Sequence, residues 1–131
     1  MNKRVMCVDD EEGIRSLIVS MMEKLGYQCE CVSNADDAIK LFPEFDPFLV
    51  FVDLILDGEM DGVKIADKMH RINPVSVFVA LSGRLDLFKI GFLLGSVFTD
   101  VLQKPVSYNT LKTVTNYAWE KRQRWEAILN G

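Results

Sequence analysis

Apolar residues fall into five short runs along the chain, and a helical period follows each run. The first run, 4–8, breaks at Asp9-Asp10-Glu11-Glu12. Behind it Ile14, Leu17, Ile18, Met21 and Leu25 recur at three-and-four spacing, which predicts an amphipathic helix, and Gly26 supplies its natural stop. Residues 27–32 alternate with polar Gln28 and Glu30, the pattern of a strand nearer a sheet edge. Ser33-Asn34 offer a cap to a helix over 35–42, and Pro43 and Pro47 punctuate the return to the next strand. That strand, Phe48-Leu49-Val50-Phe51-Val52-Asp53, is continuously apolar until its final carboxylate, so it reads as buried on both faces. After a loop over 54–62, Val63, Ile65, Ala66, Met69 and Ile72 mark a third helix ended by Asn73-Pro74. A strand over 75–81 ends in Ser82-Gly83, and a fourth helix is expected between Leu85 and Leu94. Val101-Leu102-Gln103 form a short last strand closed by Lys104-Pro105, and a last helix starts near Ser107 and reaches almost to Asn130.

Strand and helix thus alternate five times. The fold class expected is α/β: a (βα)5 doubly wound parallel sheet of five strands with helices on both faces and right-handed crossovers. The 131 residues suit one domain, and 49% hydrophobic content is enough to fill its core. A net charge of −4 argues against nucleic acid as a direct partner, since phosphate binding needs a basic surface. No apolar run approaches the roughly 18 residues of a membrane span, and the N-terminus reads as no signal peptide. Cys7, Cys29 and Cys31 include no Cys-x-x-Cys pair, which suits reduced thiols in a cytoplasmic protein. Cys29 and Cys31 share one face of their strand; small buried hydrophobes are the expected reading, ahead of a metal or redox role.

In a parallel sheet the carboxyl ends of all strands lie on one edge, where ligands bind. That edge collects Asp9-Asp10 after strand one, Asp53 at the end of strand three, Ser82 at the end of strand four and Lys104 at the end of strand five. Taken singly, each has a plain reading: a helix cap, a turn former, a Ser-Gly turn, a solvated lysine before a helix-starting proline. Together they describe a site. Clustered carboxylates repel one another unless a cation joins them, and hard oxygen ligands select Mg²⁺. A carboxylate nucleophile beside two cationic groups suits phosphoryl transfer, with Ser82 donating to a phosphoryl oxygen and Gly83 leaving its approach clear.

These residues resemble the receiver domain of two-component response regulators over residues 1–118. The matching pieces are Val8-Asp9-Asp10-Glu11, Val52-Asp53-Leu54, Met60-Asp61-Gly62, Ala80-Leu81-Ser82-Gly83 and Lys104-Pro105. The resemblance implies a flavodoxin-like sheet of strand order 2-1-3-4-5. It implies that Asp53 takes a phosphoryl group from a phosphohistidine on a histidine kinase or histidine phosphotransfer protein. Asp10, Asp53 and the main-chain carbonyl of Ile55 would bind Mg²⁺, with Asp9 acting through water. Lys104 would pair with a phosphoryl oxygen, Ser82 would carry the switch, and the Lys104–Pro105 bond would be cis. Ile55 and Arg84 take positions that influence how long the phosphoryl group survives. The chain departs from the family at Val101, where an aromatic is usual, at Val97, where glycine is usual, and in a loop after Asp53 one residue longer than the commonest form.

Such a domain is a signalling switch that assists its own modification, not an enzyme with turnover. The alternative is a pseudo-receiver that binds proteins without phosphorylation. A conventional aspartyl-phosphate hydrolase ranks lower, since its motif wants Asp where Ile55 stands. In the family the output face comprises helix four, strand five and the last helix, and residues 85–98 are unusually apolar here. They form core or a homodimer or partner face. Residues 119–131 extend the last helix beyond a minimal receiver, as a dimerising stub or a linker to an output domain. Within them Glu120-Lys121-Arg122-Gln123-Arg124 reads as a solvated charge run, and His70 as a surface residue.

Overall fold

The computed structural model describes residues 3–56, 61–83, 91–93 and 95–131. The strands are β1 (Arg4–Val8), β2 (Gln28–Val32), β3 (Leu49–Asp53), β4 (Val77–Ser82) and β5 (Phe98–Gln103). Four helices are described: α1 (Glu12–Lys24), α2 (Ala35–Phe45), α3 (Gly62–Ile72) and α4 (Tyr108–Asn130). All ladders are parallel and the sheet order is β2-β1-β3-β4-β5, as expected. Most of the helix expected between Leu85 and Leu94 lies outside the described residues; Gly91–Leu93 are helical.

Strand alternation divides the core into two clusters, one on each face of the sheet. Val5, Cys7, Leu49, Phe51, Val79 and Leu81 meet Ile18 and Met22 of α1 and Leu111, Val114 and Ala118 of α4. Met6, Val8, Val50, Val52, Phe78 and Ala80 meet Phe42 of α2 and Ile65, Ala66 and Met69 of α3. This is why β3 is apolar at successive positions: its neighbours on both faces are helices, and every residue of it is buried. β2, at the edge, keeps Gln28 and Glu30 exposed.

Three boundaries differ from the sequence reading. α2 runs through Pro43 to Phe45 instead of stopping at 42. The proline forfeits one amide donor near the helix end, but Phe42 and Phe45 are both buried, and the phenyl ring of Phe42 lies 5.9 Å from that of Phe78. Asp46 then ends the helix in the left-handed region at φ 47°, donating its N–H to the Phe42 carbonyl. β5 begins at Phe98, three residues earlier than expected, because exposed Thr99 and Asp100 mask the apolar pattern and the register slips between Phe78 and Val79. β4 begins two residues later than expected, after a turn in which Asn73 Oδ1 accepts the Val75 N–H.

α4 is continuous to Asn130, and its charge run is not wholly solvated. Arg122 is 6% exposed. Its guanidinium pairs with Glu126 at 2.8 Å and Asp46 at 3.5 Å, and donates to the Pro47 carbonyl at 3.3 Å. Trp119 packs edge-on against Phe48, with ring centroids 5.0 Å apart. The helix beyond residue 118 is therefore fastened to the segment that leads into β3. Outward, α4 exposes Tyr117, Trp125, Ile128 and Leu129.

Candidate functional site

The carboxyl edge of the sheet carries a cleft lined by Asp10, Glu11, Asp53, Ile55, Ser82, Gly83 and Lys104. Asp9 stands behind it, wholly buried. Each residue is delivered by a strand end, and main-chain bonds join those ends. Asp9 N–H donates to the Val32 carbonyl, Leu54 N–H to Leu81, and Lys104 N–H to Ser82. The Lys104–Pro105 peptide is cis, as the family resemblance implies.

Asp9 does not cap α1, whose N-cap is Glu11 without a side-chain cap bond; it turns the chain toward that helix and joins the acid cluster. Its Oδ1 accepts the Glu11 N–H at 2.9 Å, an Asx-type turn that leads into α1. Its Oδ2 faces Lys104 Nζ at 2.8 Å. The same ammonium lies 3.3 Å from Asp53 Oδ2 and 3.2 Å from Glu11 Oε1. Asp53 Oδ1 accepts the N–H of Ile55 at 3.2 Å. One lysine thus gathers three carboxylates, while Asp10 lies exposed in the cleft beside them.

The charges are unevenly balanced. Burial pushes the Asp53 carboxyl above the ordinary carboxylate range; the Ile55 N–H opposes this, buried Asp9 adds to it, and Lys104 opposes it again. Burial alone would depress the Lys104 ammonium, but Asp9 foremost, with Asp53 and Glu11, outweighs burial and lifts it well above its usual value.

A cation fits this donor set. Asp9, Asp10, Glu11 and Asp53 can each offer a carboxylate oxygen, all within 4.8 Å of one another. Asp9 Oδ2 is buried and receives no well-directed hydrogen bond from the described residues, despite the nearby ammonium. One lysine among four acids leaves negative charge uncompensated, and an all-oxygen set suits a hard divalent ion.

Two residues of the site went unassigned in the sequence. Glu11 shares Lys104 with Asp9 and Asp53; the run of acids after β1 was its signal. Gly62 begins α3 against the back of the site, donating its N–H to the Leu54 carbonyl at 3.2 Å. A Cβ there would stand 2.2 Å from the Asp53 carbonyl oxygen and 2.7 Å from Leu54 Cα, so only glycine fits. Ser82 is buried at the end of β4, and Ile55 is 40% exposed on the rim. Arg84, which the resemblance places near the phosphoryl group, lies outside the described residues, as do residues 57–60 of the loop after Asp53.

The chain is similar to known proteins in sequence and in fold. The family model described as response regulator receiver domain matches residues 5–116. Nitrogen assimilation regulatory protein NtrX of Azorhizobium caulinodans is 28% identical over 117 residues, covering 88% of this chain and 26% of that protein. Sporulation initiation phosphotransferase F of Bacillus subtilis is 32% identical over 99 residues, covering 74% of this chain and 79% of that protein. The crystal structure of NtrX from Brucella abortus superposes with a TM-score of 0.89 at 25% identity, over 99% of this chain and 29% of that one. A CheY-like response regulator receiver domain protein from Methanospirillum hungatei shares the fold, with a TM-score of 0.83 at 22% identity over 95% of this chain and 99% of that one. The chain therefore spans a minor part of the NtrX proteins and most of phosphotransferase F.

Proposed function

The chain belongs to the response regulator receiver domain family, and from that premise we propose that it is a phosphoacceptor switch in a two-component phosphorelay. The donor is a phosphohistidine on a histidine kinase or histidine phosphotransfer protein. An Asp53 carboxylate oxygen attacks the phosphorus, the P–O bond forms as the P–N bond breaks, and the imidazole leaves. Asp53 is suited to this role because Lys104 stands beside it and its other oxygen is held by the Ile55 N–H. Lys104, now on three carboxylates, moves part of its pairing to a phosphoryl oxygen. Ser82 donates its hydroxyl to another, and Gly83 leaves room for the group.

Asp10, Asp53 and the main-chain carbonyl of Ile55 would hold Mg²⁺, with Asp9 acting through water. Held by these residues, the ion would supply positive charge to offset that of the phosphoryl oxygens and carboxylates. The reaction is one transfer per cycle, so the domain is a switch whose modified and unmodified forms favour different partners.

The observation that carries this reading is the 3.3 Å pairing of Asp53 with Lys104 inside a cluster of acids able to hold a cation. Incubation with acetyl phosphate and Mg²⁺ tests it by intact-protein mass. One added phosphoryl group is expected, absent in Asp53→Asn and in the presence of EDTA. No adduct over a time course fast enough for a short-lived one would leave a protein-binding module instead.

A further inference from the structure

In the cycle proposed above a phosphoryl oxygen takes over one N–H of the Lys104 ammonium, and the three carboxylates around that ammonium do not give it up equally. An ammonium has three donors. Two make directed hydrogen bonds, to Glu11 Oε1 at 3.2 Å and to Asp53 Oδ2 at 3.3 Å. Asp9 Oδ2 is nearer, at 2.8 Å, but receives no directed bond among the described residues. The Lys104 side chain is only 11% exposed, so its ammonium has little water to turn to and exchanges partners within the cleft.

The partners differ in what release leaves behind. The Asp9 carboxylate is wholly buried, and without the ammonium it would be an unpaired charge in the interior, the costliest case. Asp53 is the attacking group itself, with a side chain 7% exposed. The Glu11 side chain is 62% exposed, so water takes over its charge when it lets go. Its backbone does not follow. The Glu11 N–H is held by Asp9 Oδ1 at 2.9 Å, and its carbonyl accepts the Arg15 N–H at 3.1 Å at the start of α1. Only the carboxylate arm is free to swing.

We propose that Glu11 is a positioning residue for the phosphoryl transfer, a place-holder that occupies one Lys104 donor until a phosphoryl oxygen displaces it. The proposal rests on the phosphoacceptor reading of Asp53. Glu11 touches neither the phosphorus nor the attacking oxygen; it acts through Lys104. Before transfer it helps to keep the ammonium beside Asp53 in the cleft. During transfer it competes with the phosphoryl group for the same N–H, and so restrains loading. An exposed ion pair is worth little, which limits the restraint to roughly two- to fivefold in rate.

Initial rates of phosphorylation by acetyl phosphate at saturating Mg²⁺, followed by intact-protein mass, test this. Glu11→Gln is expected to load roughly two- to fivefold faster than wild type, because a neutral amide holds the ammonium less tightly. In a Lys104→Met background, checked for folding by its melting curve, the same substitution should change nothing, the signature of an effect that runs through Lys104. Glu11→Asp keeps the charge but falls one methylene short of Lys104, so it too should load faster than wild type. A wild-type rate in Glu11→Asp would overturn the proposal, since charge near the phosphodonor and not pairing would then be what Glu11 supplies. Equal or slower loading by Glu11→Gln would overturn it, as would an acceleration that survives Lys104→Met. Weaker Mg²⁺ binding by Glu11→Gln in calorimetry would do so by making Glu11 a ligand of the ion. A wild-type protein that takes up no phosphoryl group removes the phosphoacceptor reading along with the proposal, and is told apart by the absence of adduct in every variant.

Discussion

Asp53 is a charge that the surrounding protein raises in energy. Because burial lifts its pKa in the folded state, the native protein binds its proton more tightly than the unfolded chain does. Between the ordinary carboxylate pKa and the native one, stability must therefore fall as pH rises. Asp53→Asn removes that slope while leaving an acceptor for the Ile55 N–H and relieving the repulsion from Asp9. In divalent-free buffer at neutral pH the variant is expected to be more stable by on the order of 1 kcal/mol. Urea unfolding of both proteins from about pH 4 to pH 7 checks this; a variant less stable at neutral pH would mean that pairing with Lys104 outweighs burial. Lys104 gives a slope of the same sign at the alkaline end. Its native pKa is raised, so its contribution is complete below the ordinary lysine value and is lost as pH climbs through the native one. At this scale the sequence was informative, because a carboxylate ending a buried apolar strand is anomalous. Glu11 was less so: a third acid in a row looks like helix-start chemistry until the fold brings Lys104 to it.

Among the elements, the buried strands were the legible ones. β1, β3 and β4 lie between helices on both sides, so residues 5–8, 49–52 and 77–81 had to be apolar. β5 was half legible, since an edge strand with a register slip can carry Thr99 and Asp100 outward without penalty. α4 misled in the other direction, because a run of charges gives no sign of which one turns inward. Arg122 does, and its planar fork serves Glu126, Asp46 and the Pro47 carbonyl together. Arg122→Ala should lower stability by about 1–2 kcal/mol, less than for a fully buried network because both acids keep access to water. Arg122→Lys should recover only part of this, a point charge being unable to reach three acceptors. The midpoint of urea unfolding measures both. Equal stability of Arg122→Ala and wild type would return Arg122 to the solvated run.

For the whole molecule, the doubly wound plan was legible because a five-fold alternation of strand and helix has few packings. The site followed from it, since the plan alone sends four strand ends to one edge. What the plan leaves open is how closely the charges balance there. Four acids crowd around one lysine that pairs with three of them, so the folded protein holds repulsion that a divalent ion would relieve and the unfolded chain does not. Mg²⁺ should therefore stabilise the protein by mass action, by about 1.4 kcal/mol at a tenfold excess over its dissociation constant. For a domain of this size that is a rise in Tm of roughly 3–6 °C. Calorimetry with Mg²⁺ and with EDTA reads it, and Asp53→Asn should respond less. An unchanged Tm at saturating Mg²⁺ would remove the cation from the account.

The contact at Gly62 sets where this site can be altered. A methyl group there has no space beside the Asp53 carbonyl, so the rear wall of the site takes no side chain at that position. For the phosphoryl group proposed on Asp53, substitutions that tune its lifetime are expected on the open rim, where Ile55 and Gly83 face solvent. The clock of such a switch can be reset by substitution on one side while the machinery behind it stays unaltered.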